Sequence, residues 1–199
     1  MIKQRIDIMC DIETLGRKDT APIVQIAAVK FDITTGHIYD TFNVMIDVTK
    51  CNTIEGATLL WWLQTNPQLL QSLMEKGEQA HLSEESAIQN FTQWIQEKPE
   101  AATYEPKKQE IFFWGNGILF DNRLIQAKCN QYNIAYPIFY RNDRDMRTLV
   151  ELAAIKAGNG SEFEYRSHFE QVGDIHNALS DCLFQINVLC KAYRDVMGD

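Results

Sequence analysis

Asp11 and Glu13 stand two positions apart in "DIETLG" (11–16), directly after the apolar run Ile6-Asp7-Ile8-Met9-Cys10. On a strand, side chains at that spacing share a face, so the two carboxylates become close neighbours. Burial strengthens their repulsion, and a divalent cation is the simplest agent that relieves it. Two further stretches set a carboxylate at the mouth of a helix. "HNALSDC" (176–182) places His176 ahead of a helix, Asn177 at its N-cap and Asp181 in its first turn, where the helix dipole favours an anion. "WGNGILFDN" (114–122) places Asp121 just beyond an apolar strand, with glycines on either side of Asn116 that let the backbone approach a ligand closely. Each stretch also has an ordinary reading: a strand ending in water, a capping histidine, a helix-favouring acid.

The elements that must carry these residues follow from periodicity. Residues 5–11, 22–31 and 37–46 read as three strands rich in Ile, Val and Phe, joined by short turns. A helix is expected from about Thr58 through Leu73, with Leu59, Leu60, Trp62, Leu63 and Leu69 as its apolar positions and a break or kink at Pro67. Another covers roughly 83–97, capped by Ser83 with Glu84 and Glu85 in its first turn. A polar loop with two prolines (97–110) leads into "IFFWG" (111–115), apolar along its whole length as a central strand covered on both faces must be. A helix from Ile118 to Tyr132 would bury Leu119, Leu124 and Ile125. A short strand near 142–146 and a helix through Lys156 come next, then a loop or weakly ordered lid over 158–174. The final helix, about 178–197, carries a stripe of Leu179, Cys182, Leu183, Ile186, Leu189, Cys190, Tyr193 and Met197, with Asp181 off the stripe.

The chain has 199 residues, 45% hydrophobic and 23% charged, which suits a single α/β domain spanning 1–199. No apolar stretch approaches a membrane span, and the N-terminus has no signal-peptide core. Five cysteines without a CxxC pair read as buried thiols of a cytoplasmic protein. The net charge of −8 argues against a protein that coats nucleic acid electrostatically, yet leaves room for an enzyme that grips one chain end. Arginines in "RNDRDMR" and lysines in "EPKKQE" are either phosphate contacts or solvated loop residues.

Taken together, "DIETLG", "GNGILFDN" and "HNALSDC" match one pattern in order and context. The chain resembles the DEDDh 3′→5′ exonucleases of the ribonuclease H-like fold, with His176 marking the h subgroup. "TLLWWLQTNPQ" (58–68) and "RDMRTL" (144–149) are similar to segments of the branch containing ribonuclease T-like exoribonucleases and phage exonuclease A. The resemblance runs from about Ile6 to Tyr193. It departs at the second motif, where relatives commonly carry His-Asn and this chain has Gly115-Asn116.

The resemblance implies a mixed central sheet of three antiparallel N-terminal strands plus two parallel ones, flanked by helices. It further implies two Mg²⁺ or Mn²⁺ ions, because two hard cations roughly 3.5–4 Å apart serve both ends of an in-line phosphodiester displacement. Asp11 would bridge both ions, Glu13 and Asp181 would hold one, Asp121 would support the other, and His176 would take the proton of the attacking water. Thr14 and Leu15 would wedge against the terminal nucleotide of single-stranded RNA or DNA, with the Asn116 backbone nearby. Trp61 or Trp62 would stack on a base, although Trp62 fits the helix's buried side better. Asp145 and Arg147 would support the metal site, touch phosphate or form a structural ion pair. Several relatives are dimers, which makes a homodimer one option and leaves the oligomeric state open. The rival readings are a non-catalytic module that binds nucleic-acid ends or proteins, and a structure-specific metal nuclease or phosphodiesterase acting on small nucleotides.

Overall fold

In a computed structural model, which describes residues 5–51, 53–99, 107, 110–158 and 160–198, the sheet grows outward from β1 (Ile6–Thr14). Antiparallel pairing adds β2 (Ile23–Phe31) and then β3 (Ile38–Met45) on one side. Parallel pairing adds β4 (Ile111–Gly115) and β5 (Asp143–Asp145) on the other, giving the order β3-β2-β1-β4-β5. Most of the polar stretch 97–110 lies outside the described residues.

The alternation of β1 sets the layers. Ile6, Ile8, Cys10 and Ile12 point into one core, against α3 (Glu84–Gln96) and α4 (Asp121–Gln131). Met9 points into the other, against α5 (Met146–Ala157) and α7 (Ala178–Met197). Period two therefore puts Asp11 and Glu13 on the α5/α7 face. A third cluster packs Leu15, Val24 and Val48 under α1 (Gly56–Thr65) and α2 (Pro67–Ala80). No helix among the described residues is long and apolar enough to cross a membrane.

The break expected at Pro67 divides the stretch 58–73 between two helices, parted at Asn66, whose side chain caps α2. Several other expectations need correction. Of α1 only Trp62 is buried, while Leu60 and Leu63 stay exposed because the helix touches the body along one narrow edge. Leu119 is exposed too, since α4 begins two residues after it and leaves it in the preceding turn. Leu183 and Met197 lie outside the buried side of α7. That side instead includes Gln185, Val188 and Ala192, because α7 faces both the sheet and α5. The stretch 158–174 holds a one-turn helix, α6 (Glu162–Arg166). Tyr165 fastens it by donating its hydroxyl to Asp195 at 2.6 Å.

Candidate active site

The carboxyl ends of β1 and β4 and the N-termini of α4 and α7 meet at one end of the sheet. Asp11 pairs in register with Ala27 and Glu13 with Gln25, and a register shift follows Glu13. The Gln25 side chain accepts from the Ala178 backbone N–H at 3.1 Å, which seats the start of α7 beside the acids. Asp181 thereby comes close enough that oxygens of Asp11, Glu13 and Asp181 lie within 4.8 Å of one another. His176 holds a left-handed backbone (φ 67°), uncommon outside glycine, and donates its N–H to Asp181 Oδ2 at 3.1 Å. Asp121, the first residue of α4, lines the same 420 Å³ cavity as these three acids and His176.

This cluster is electrostatically unfavourable by itself. Burial, then the charges of Asp121 and Asp181, push the Asp11 carboxyl well above its usual range. Burial, then Asp11, Asp181 and Asp121, do the same to Glu13. Burial raises Asp121 to about 7 even though the Ile12 backbone amide favours its charged form. Asp181 is raised by burial against the pull of Gln171 and His176. No described ion pair involves any of the four. Amides partly compensate: Gln185 Nε2 donates to Asp11 Oδ1 at 2.9 Å, and Gln171 Nε2 donates to Asp181 Oδ1. Buried hard oxygen donors with no cationic side chain paired to them fit a divalent cation of the Mg²⁺ type.

A second cavity of 470 Å³ adjoins the first through Ile12, Glu13 and Phe120. Thr14 and Trp61 line it, and the Trp61 ring stands edge-on to His176 with centroids 4.9 Å apart. Leu15 is not brought there: its side chain is fully buried under α1 and α2, outside the lining of either cavity. Trp62 is core, donating its indole N–H to the Thr14 carbonyl at 3.0 Å. Asn116 lines the acidic cavity, and its Oδ1 accepts from Arg166 at 2.9 Å. Asp145 caps α5 and pairs with Arg147 at 3.2 Å, and the Arg147 charge also acts on Asp121. Gln171, Gln185 and Arg166 are the polar residues of this cavity that sequence reasoning missed, and Phe120, Ile175 and Phe184 are among the apolar ones. Gln185 alone left a signal, a polar residue four positions after Asp181 among the apolar positions of α7.

Residues 6–192 match the family described as the 3′-5′ exoribonuclease Rv2179c-like domain. The chain belongs to that family. No curated protein sequence matches it. Among solved structures, this exoribonuclease-family chain is similar to cell-death related nuclease 4 (CRN-4), with TM-score 0.69 and 16% identity over 95% of this chain and 64% of that one. It is similar to the nuclease domain of 3′hExo, a DEDDh family member bound to rAMP, with TM-score 0.62 and 13% identity over 98% of this chain and 94% of that one. E. coli exonuclease I in complex with a dT13 oligonucleotide gives TM-score 0.69 and 14% identity over 94% of this chain and 41% of that one. The chain thus spans under two thirds of CRN-4 and about two fifths of exonuclease I. The shared feature is the ribonuclease H-like fold, with the mixed five-stranded sheet that the resemblance implied.

The departure at the second motif has a steric reason in this family member. A Cβ at Gly115 would lie 2.6 Å from Asn122 Oδ1 and 3.7 Å from Asp121 Oδ2. Asn122 donates to Asp143 Oδ1 at 2.8 Å, so a side chain at 115 would have to push the Asn122 amide off that bond.

Proposed function

We propose that residues 1–199 form one exonuclease domain that removes nucleotides from the 3′ end of single-stranded RNA or DNA. The products are nucleoside 5′-monophosphates, and the reaction requires divalent metal. The observation that carries this reading is the convergence of Asp11, Glu13, Asp121, Asp181 and His176 on one cavity next to an exposed tryptophan. The family description and the neighbours with rAMP and dT13 bound support it.

Asp11, Glu13 and Asp181 would hold the metal, with Asp121 as a fourth carboxylate; two Mg²⁺ or Mn²⁺ ions suit this donor set. Such ions supply charge neutralisation at the phosphate and the leaving oxygen. His176 accepts the proton of the attacking water. Oxygen bonds to phosphorus, the bond to the penultimate 3′-oxygen breaks, and that oxygen takes a proton from solvent, so the shortened strand leaves with a 3′-hydroxyl. Gln185 and Gln171 orient the acids by donating to Asp11 and Asp181. Trp61 offers an aromatic face to the terminal base, and face stacking tolerates any sequence. The oligomeric state, with a homodimer as the option that relatives suggest, is to be read by light scattering at assay concentration.

The test follows 5′-labelled RNA and DNA oligomers with Mg²⁺ or Mn²⁺. A descending ladder ending in short 5′-labelled products is expected, abolished by EDTA and strongly slowed by a 3′-phosphate. His176→Ala should lower kcat by roughly 10²-fold or more with little change in KM. Activity in EDTA, or early release of the 5′-terminal mononucleotide, would overturn the proposal. Binding of ends without turnover would favour the non-catalytic module.

A further inference from the structure

Arg166 is the one arginine or lysine lining the acidic cavity among the described residues. It sits next to Tyr165, whose hydrogen bond to Asp195 and ring contact with Phe169 fix α6 against the body. Its guanidinium is held by Asn116 Oδ1 at 2.9 Å and touches Met146 Sδ at 3.5 Å. Its negative neighbour is a poor match. Glu162 Oε2 is 3.9 Å from Nη1, beyond hydrogen-bond reach, and both that oxygen and Arg166 Nε are buried without a hydrogen-bond partner. A second guanidinium crowds the same turn, since a Cβ at Gly117 would lie 2.6 Å from Arg147 Nη2. Burial and the charge of Arg147 both act against the Arg166 cation. An arginine that lines the cavity with its only ion-pair partner beyond hydrogen-bond reach is suited to take an anion entering from outside.

We infer that Arg166 is a phosphate-binding residue that holds the non-reacting phosphodiester on the 5′ side of the scissile bond. This rests on the exonuclease reading above. The reacting phosphate belongs at the Asp11, Glu13 and Asp181 cluster, with which Arg166 forms no ion pair; the next phosphate of the strand is therefore the one left for it. Contacts of this kind position the strand without reading its sequence.

The test pairs Arg166→Gln with a strand whose phosphodiester immediately 5′ of the scissile bond is a neutral methylphosphonate. On the ordinary strand, Arg166→Gln should raise KM about tenfold while kcat changes much less. On the neutral strand the wild type should show the same loss, and the substitution should add nothing to it, as a direct contact requires. The salt dependence of kcat/KM should also fall by about one phosphate contact, a slope change of roughly 0.7 for a single strand. Arg194→Gln, at a residue bonded to the Thr34 carbonyl, should change neither quantity. Losses that multiply across both modifications, or an unchanged KM, would overturn the inference. Arg166→Lys carries the test should the Gln variant fold poorly: its smaller loss must likewise vanish on the neutral strand. Were the wild type not to hydrolyse either strand, the exonuclease reading would fail. Binding anisotropy with the same four combinations would still decide the Arg166 contact.

Discussion

Asp121 belongs to the group of residues whose usefulness to a metal harms the metal-free fold. Its carboxyl in the folded chain loses its proton near pH 7, whereas in the unfolded chain it does so near pH 4. The folded state therefore holds an extra proton between those values, and that contribution to stability disappears as the pH rises through 7. In EDTA the melting temperature should fall from pH 5 to pH 8. Each unit of raised pKa corresponds to about 1.4 kcal/mol, and about 1 kcal/mol moves melting by roughly 2–4 °C at this size. Asp121→Asn should flatten the fall by several degrees, and saturating Mg²⁺ should do the same for the wild type. An Asn variant that melts lower than wild type at pH 8 in EDTA would contradict this. The acids and His176 were legible because three stretches, each ordinary alone, match one pattern in order and context. Arg166 and Gln171 were not, since they come from the aperiodic stretch 158–174 and only the folded chain turns them toward the acids.

Elements were legible where one force dominated. β4 reads as a strand because nothing else accommodates five consecutive apolar or small residues between two layers, and Pro67 marked the end of α1 through its missing N–H. Exposure within α1 was not legible, because periodicity reports an apolar stripe but not how much of it meets a partner. α6 was missed because five residues are too few to show a period. Gly77, buried in α2, shows two effects opposed at one position. Alanine would improve helix propensity by about 1 kcal/mol. A Cβ there would be driven into the Ile46 backbone carbonyl just after β3, and backbone yields far less readily than a side chain. Overpacking typically costs about 1–3 kcal/mol, so Gly77→Ala should melt several degrees lower by calorimetry. A variant that melts higher would show that α2 can move off the sheet edge.

At the scale of the whole molecule, β1 is the strand where antiparallel pairing gives way to parallel, and both β1 and β4 run toward the acids. Sites gather at the carboxyl ends of parallel strands, where helices begin and loops are free to vary. The motif order made this architecture legible. Its distances were not, because no local pattern says how far α7 leans over β2; the Gln25 contact to Ala178 sets that. The same packing sorts the four tryptophans: Trp62, Trp94 and Trp114 are buried, and Trp61 alone stands 42% exposed against His176 at the cavity edge. The chain thus carries its own optical reporter. In a hydrolysis-dead Asp11→Asn protein, acrylamide should quench one emitting population, and a 3′-hydroxyl oligonucleotide should shield that population. Trp61→Phe should remove the quenchable fraction and the shielding together. Quenching that ignores the oligonucleotide would place the terminal base away from Trp61.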